Sequence, residues 1–435
     1  MIRIATTMGH GHQESRSLQF FLEKTLVQFQ TYFPDSVWET YMLRRASSEG
    51  CIRHALIALS AFHEHFVLGH VQDNVFALRQ YNLAIQGLTG DDQQPTPQTS
   101  LLSCLIFIYI EVWFPLPYLF KSGCKVLQEL EQSQRDYTSK SGEAIRKPKV
   151  QVDDITHQGK AYFYRLGMQI LLFQGDIVPG IPPASILAYL KPTLQSSNGT
   201  DFKSFSEAKE SLQDLYLQQF EIVMMNVAEH AAFAQKLKQW YQRFQELIAS
   251  KESISALSAA DKRTIALLEV HRQDIALNLK VVTPGTGEYG RNQMKWDAHV
   301  DDFSRMVENA AIALGSDDFT SRGKHKFHLH FGVTSILESV TGRCRDPSVR
   351  RRALALMTAR PVQEGIMSSD LAVRTLRRLV TLEEGSTIVR TCEDVPEEAR
   401  VVSSDFRVDP CGTQVMVRFG FRHGSFEETF ETSPF

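Results

Sequence analysis

Residues 51–67 read CIRHALIALSAFHEHFV. Apolar side chains recur there at three- and four-residue steps among strong helix formers, which predicts an amphipathic to buried helix. The same spacing extends outward. QFFLEKTLVQFQTYF (19–33) repeats it on the N-terminal side, and residues 75–88, 101–114 and 161–173 repeat it beyond. Residues 201–254 read as one or two long amphipathic helices. Ser258-Ala-Ala-Asp261 stands before an apolar run as a capping-box variant, so a helix is expected from there to about Val282. Further helices are expected over 298–314, 327–341, 347–358 and 369–382. The breakers between them are GDDQQPTPQTS (90–100), the polar stretch 121–158, PGIPPAS (179–185), SSNGT (196–200) and the glycine-rich PGTGEYGRNQM (284–294). Near the end the period changes: residues 400–408 and 413–421 alternate around Asp409-Pro-Cys-Gly412, the pattern of a β-hairpin and its turn. No internal repeat or low-complexity tract interrupts the series.

Composition narrows the classes of function. At 435 residues, 43% apolar and 22% charged, the chain carries enough Leu, Ile, Val and Phe to offset ordering entropy, which excludes disorder as its main state. The net charge of −3, from 47 basic and 50 acidic residues, argues against a generally basic nucleic-acid binder. The six cysteines, Cys51, Cys104, Cys124, Cys344, Cys392 and Cys411, are scattered without a C-x-x-C pair. That spacing suits neither a structural zinc site nor a disulfide scaffold, so they read as reduced thiols of a cytosolic or nuclear protein. The first residues, MIRIATTMGHGHQESRS, have no apolar core of a secretory signal. The longest apolar run, 101–120, is interrupted by Ser103, Cys104, Glu111, Pro115 and Pro117 and reads as a buried helix rather than a membrane span.

Several of these segments together resemble a known family. IRHALIALSAFHEH (52–65) resembles the opening helix of the regulatory domain in fungal binuclear zinc-cluster transcription factors. YNLAI (81–85) and CLIFIYIE (104–111) are similar to the next two signatures, and CRDPSVRRRAL (344–354) followed by QEG (363–365) to a fourth. The resemblance runs from about residue 17 to about residue 421. It lacks the six-cysteine DNA-reading module, the basic linker and the dimerisation coiled coil, so DNA binding in the family's manner is not expected. In length, in the missing module and in helical pattern, the chain is also similar to a small group of fungal non-standard α-humulene synthases from tropolone-sesquiterpenoid pathways. The expected fold is all-α: a tail over 1–16, a large helical domain over 17–395 like that regulatory domain, and a small C-terminal β-hairpin and tail over 396–435 packed on it.

The usual cyclase metal motifs are absent. Asp91-Asp92, Asp153-Asp154, Asp301-Asp302 and Asp317-Asp318 all lack the fifth-position acid of D-D-x-x-D/E, and no D-x-D-D occurs. DDFSRMVE (301–308) approaches the second class I metal motif but places its hydroxyl and glutamate one position short; the plain alternative is a helix start whose acids complement the dipole. Elsewhere, residues 265–282 (IALLEVHRQDIALNLKVV) set His271, Asp274 and Asn278 within or beside the apolar stripe Leu267, Val270, Leu277 and Val281. An unpaired charge there is costly, so the trio reads either as a cation or diphosphate site or as a satisfied internal hydrogen-bond network. In the first reading Asp274 and Asn278 are metal ligands and His271 a donor to phosphate oxygens. Residues 327–341 carry the stripe His330, Thr334, Glu338 and Thr341 opposite Leu329, Val333, Ile336, Leu337 and Val340. This is either a pocket wall or a solvated face. In the transcription-factor family this helix carries a Pro-Pro step and an aromatic, at positions that hold Ser335, Ile336 and Glu338 here. Arg291 and Lys295 on the glycine-rich loop could close over a diphosphate, or the loop is ordinary surface. Tyr109, Trp113, Phe114 and Phe173 could line a carbocation pocket, or are core. Glu111, Arg343 and Arg350-Arg-Arg352 match the family's scaffold. No Ser-His-Asp order, nucleophile elbow, P-loop or G-x-G-x-x-G is present.

The second resemblance implies a sesquiterpene cyclase acting on farnesyl diphosphate with Mg²⁺ and releasing α-humulene or a related hydrocarbon. The alternative is a ligand-sensing or interaction protein with a regulator-like body. A cytoplasmic setting is expected, with a small isoprenoid diphosphate as partner, no nucleic acid and no membrane, and with a homodimer left open. The cyclase reading demands that Asp274 and Asn278 point away from bulk solvent, into an enclosed chamber between their helix and the one that holds Glu338.

Overall fold

The structure is a computed structural model that describes residues 11–33, 37–68, 75–90, 95–111, 201–219, 225–284, 292–315, 326–328, 332–365, 367–409 and 414–431. The expected helix over 161–173, the expected site residues Trp113, Phe173, Arg291 and His330, and Phe114, Cys124 and Cys411 lie outside them.

The N-terminal part is built around the helix first read from its sequence. Helix α1 (His12–Phe20) passes through a π-helical stretch (Phe21–Thr25) into α2 (Leu26–Phe29); a second π-helical stretch (Val37–Met42) leads into α3 (Leu43–Ser48). Helix α4 (Gly50–Leu68) is followed by α5 (Val75–Thr89) and α6 (Pro97–Glu111). The neighbours α1, α3, α5 and α6 all pack on α4. Ile52, Ala55, Leu56, Ile57, Ala58 and Leu59 are all fully buried, because α4 is apolar on nearly every face and must be covered on nearly every face. Its polar side chains are satisfied inside. Ser60 donates to the Ser17 carbonyl at 2.6 Å. His63 donates from Nε2 to Gln28 Oε1 at 3.2 Å and lies 2.9 Å by Nδ1 from the Thr25 hydroxyl. Burial pushes this imidazole down to a pKa of about 3, so it stays neutral. Helix α1 begins at His12, ahead of the expected tail boundary at residue 16, with Ser17 and Leu18 already buried.

The second part follows with α7 (Phe205–Gln218), α8 (Val227–Ile254) and α9 (Ala259–Val281), then a 3-10 helix (Gln293–His299) and α10 (Val300–Leu314). After strand β1 (Lys326–His328) come α11 (Thr334–Arg343), α12 (Pro347–Ala359), β2 (Val362–Glu364), β3 (Met367–Ser368) and α13 (Ser369–Glu384). Capping chemistry sets the starts of these helices. Asn226 with Glu229, and Ser258 with Asp261, form reciprocal capping boxes. Asp346 caps α12 with Pro347 in its first turn, and the Ser368 side chain caps α13. One apolar core runs from Phe21 to Leu376 and holds both parts together.

Two sequence expectations are corrected. Residues 327–341 are not one helix: β1 pairs in parallel with β2, which pairs antiparallel with β3, and α11 starts only at Thr334. The run Phe327-His-Leu-His-Phe331 alternates with a period of two, and that signal outweighs the helical spacing of residues 333–340. The C-terminal unit is not a hairpin alone. Strands β4 (Val401–Val408), β5 (Gln414–Phe421) and β6 (Ser425–Glu431) form an antiparallel sheet in chain order. The third strand reads SFEETFE; it has only Phe426 and Phe430 to pack, so its apolar pattern is faint. A second small core of Leu379, Val401, Val415, Val417 and Phe419 seats the sheet on α13.

Beneath that junction lies a buried charge network. Glu383 is buried and accepts from Arg345 Nη2 at 2.7 Å, from Arg350 Nη2 and from the Val401 amide at 2.8 Å. Burial alone would raise its pKa, but the guanidiniums of Arg345 and Arg350 outweigh burial and hold it below the ordinary range. Arg400, also fully buried, makes a two-armed pair with Asp297 at 2.7 and 2.8 Å and donates to the carbonyls of Val395 and Cys392 at 2.8 Å each.

Candidate functional site: the polar seam between two helices

Helix α9 is enclosed by α7, α8, α10 and α11. Leu267, Val270 and Leu277 are buried as their spacing implies, and His271, Asp274 and Asn278 are buried with them, at 7%, 4% and 4% exposure. These three side chains therefore face protein and not water. The physical question is what satisfies them, since an unpaired buried charge costs several kcal/mol, roughly, even after relaxation.

Helix α11 supplies most of the answer. Ser339 Oγ donates to Asp274 Oδ1 at 3.3 Å, and Arg343 Nη1 lies 4.0 Å from the same oxygen. Arg343 Nη1 also donates to Asn278 Oδ1 at 2.9 Å. The Asn278 amide donates to Gln219 Oε1 at 3.1 Å and to Asp274 Oδ2 at 3.4 Å. The Arg343 guanidinium stands 4.7 Å over the Trp296 ring. Burial raises the Asp274 pKa, while Arg343, Ser339 and Gln219 pull it back. His271 Nε2 donates to the Gly332 carbonyl at 2.9 Å, just ahead of α11, and the Tyr216 ring meets the imidazole edge-on at 5.5 Å. Burial drives the His271 pKa down to about 4, against the pull of that hydrogen bond, so the ring is neutral near pH 7.

The start of α11 carries a second carboxyl group. Glu364, at the end of β2, accepts from the amides of Gly332 and Val333 at 3.2 Å each and from that of Thr334 at 3.2 and 3.3 Å, so it caps the helix. Burial nevertheless lifts its pKa to about 7. Glu338, one turn further along α11, is lifted to about 8, first by burial and then by the charge of Glu364. Two acids whose environments favour the protonated form thus stand beside the polar seam.

The sequence-selected residues separate into groups. His271, Asp274 and Asn278 meet α11 or its approach. Thr334 and Glu338 sit on α11 beside Glu364, and Thr334 and Thr341 are buried, which removes the solvated-face reading for them. Ser335 is a buried hydroxyl with no hydrogen-bond partner among the described residues. Tyr109 belongs to a closely packed aromatic group, its ring 5.6 Å from Trp38 and 6.3 Å from Phe29. Lys295 is exposed and donates to the Thr283 hydroxyl at 3.1 Å. Asp301 is exposed, and Asp302 is bonded to Lys280 at 3.0 Å, to His299 at 3.1 Å and to Arg305. Burial works to raise the Asp302 pKa, but those bonds hold it at about 2, as expected of an acid at a helix start in a cationic setting.

Four residues of the seam escaped sequence reading: Gln219, Ser339, Arg343 and Glu364. Ser335, Ser339 and Arg343 recur every four residues on one face of α11, a signal hidden by reading Arg343 as scaffold. Gln219 and Glu364 reach the seam from distant parts of the chain and leave no local signature.

Asp274 and Asn278, expected as metal ligands, do not converge on one point in this arrangement. Asn278 turns its N–H toward Asp274 and its oxygen toward Arg343, so the two side chains do not offer oxygens to a common point. Among the described residues no group of three or more His, Cys, Asp or Glu side chains could hold a metal ion. Also among them, no helix is long and apolar enough to cross a membrane. The chain matches no family model, and no curated protein or solved structure matches it.

Proposed function

We propose that this chain is a sesquiterpene cyclase of the non-standard fungal type it resembles, converting farnesyl diphosphate to α-humulene or a related hydrocarbon in the cytosol. The observation that carries the reading is the seam itself: a carboxyl, a carboxamide and a guanidinium set among apolar helices, where a leucine would cost nothing. A diphosphate needs cationic N–H donors beside an apolar chamber for its farnesyl tail. Arg343, held by Asn278 and stacked on Trp296, has the chemistry for the first requirement. In the proposed reaction the C–O bond breaks and its electron pair leaves with the diphosphate. A distal double bond then closes the ring on the allylic cation, and loss of a proton gives the hydrocarbon. His271, kept neutral by burial, is in the form that accepts a proton. Magnesium enters this proposal as the counter-ion of the diphosphate, and no residue's role is derived through it.

One observation favours the second reading, a ligand-sensing or interaction protein: Asp274 and Asn278 already satisfy each other, Gln219, Ser339 and Arg343. Such a closed network needs no substrate. Incubating the purified full chain with farnesyl diphosphate and MgCl₂ under a hexane layer separates the two. A C₁₅ hydrocarbon seen by gas chromatography supports the cyclase. No hydrocarbon with Mg²⁺, Mn²⁺ or Co²⁺, together with a raised melting temperature on adding the diphosphate, moves the assignment to a sensor.

A further inference from the structure

One side of α11 carries polar groups that the surrounding helices leave unanswered. Ser335, Glu338 and Gly342 follow one another at steps of three and four, so they share a side of the helix. It adjoins the side from which Ser339 and Arg343 reach Asp274 and Asn278. The Ser335 hydroxyl is buried, at 8% exposure, and bonds to no described residue. Glu338 makes neither a hydrogen bond nor an ion pair with the described residues. Gly342 has open space beside it: a Cβ added there would meet nothing within 4 Å apart from its chain neighbours and the helix's own backbone. Glu338 is half-buried rather than sealed, and still burial is what chiefly sets its pKa. The surface it keeps therefore opens into the body, where α9, α10, α12 and α13 pack around α11. Orphaned polar groups beside open interior space are the mark of a ligand site rather than of a packed core.

Charge then selects the class of ligand. The flanking charged groups are Glu364 on the first amides of α11, and Asp274 with Arg343 across the seam toward α9. Arg343 is engaged by Asn278 and Trp296, and Glu338 has no cation of its own among the described residues. Burial first, and the charge of Glu364 second, lift its pKa to about 8. A cation set against the carboxyl would reverse that shift. One carboxyl and one hydroxyl are too few oxygens for a divalent ion, which takes about six. An organic cation needs only a single counter-charge and room for its carbon. We propose that the side of α11 formed by Ser335, Glu338 and Gly342 binds an organic cation. The Glu338 carboxylate is its counter-charge, the Ser335 hydroxyl a second polar contact, and the space beside Gly342 the room for its alkyl groups. This site does not depend on which reading of the function holds. In the cyclase its occupant is the carbocation left when diphosphate departs, an identification that rests on that reading.

Isothermal titration calorimetry on the full chain tests this with hexyltrimethylammonium, alongside hexanol and hexanesulfonate as neutral and anionic probes of the same tail. Wild-type protein should bind the ammonium and not the sulfonate. Glu338→Gln keeps the size and removes the charge. It should weaken ammonium binding roughly ten- to a hundredfold, the scale of a lost charge-assisted contact, and leave hexanol unchanged. Gly342→Leu keeps the carboxyl but fills the space, so it should abolish ammonium binding; it carries the decision if the Gln variant does not fold. No ammonium binding by the wild type, equal affinity in Glu338→Gln, or sulfonate bound as tightly as ammonium each overturns the proposal. Ammonium binding by a chain that releases no hydrocarbon from farnesyl diphosphate upholds the site and removes the cyclase. Hydrocarbon release without ammonium binding does the reverse.

Discussion

Asp274 sits at 4% exposure with Ser339 and Asn278 on its oxygens and Arg343 at 4.0 Å. Removing its charge takes away one of the groups that, with Asn278 and Trp296, set the Arg343 guanidinium in the seam. Asp274→Asn keeps the size and some hydrogen bonding, and Asp274→Ala keeps neither. If Asp274 positions Arg343 for a diphosphate, both variants should release roughly ten- to a hundredfold less hydrocarbon, the scale of a lost charge-assisted bond at about 1.5–3 kcal/mol. The loss should appear mainly in KM, with far-UV circular dichroism unchanged for the Asn variant. A fully active Asp274→Asn enzyme would remove the residue from the site. The sequence announced this position because a carboxylate among Leu267, Val270 and Leu277 is anomalous in any helix. It could not announce Gln219 or Glu364, whose positions in the seam depend on how separate segments meet.

At the level of elements, α11 is the piece whose stability responds to pH. Its first amides rest on Glu364, and Glu338 follows one turn later. Ordinary glutamate titrates near 4.5, whereas burial lifts Glu338 to about 8 and Glu364 to about 7. The folded state therefore binds protons that the unfolded chain has already released, and stability falls as pH rises through this range. Asp214, raised to about 7 by burial and by Glu210, acts in the same direction. His63 and His271, pushed down to about 3 and about 4, act in the opposite direction but only below their unfolded value of 6.5. The clean window is thus from about pH 6.5 to 8.5. Urea midpoints should decrease across it, and Glu338→Gln should flatten the slope. A wild-type midpoint that holds or climbs over the same interval would contradict the assignment. Helix starts at Ser258 and Pro347 are readable from local capping chemistry, whereas the start of α11 is not, because Phe327 is drawn into β1 by pairing with β2.

Across the whole molecule, the Arg345–Glu383–Arg350 network and the Arg400–Asp297 pair join α12, α13 and the C-terminal sheet to the turn ahead of α10. Removing one member of a buried pair strands the rest, so Glu383→Gln should destabilise the fold by about 3–5 kcal/mol. Salt reaches these groups poorly, so that loss should persist in 1 M NaCl during urea denaturation. A loss below about 1 kcal/mol would mean that water already relieves the charges. Periodicity and capping are local properties, written into neighbouring residues. That is why the chain alone disclosed a mostly helical body, a β-structured end and the anomalous trio His271, Asp274 and Asn278. Which partners those buried groups meet, and that β6 completes a three-stranded sheet, depend on contacts between residues far apart in the chain. No short-range pattern encodes such contacts, because they arise only when apolar faces close on one another and force the polar groups between them to find each other.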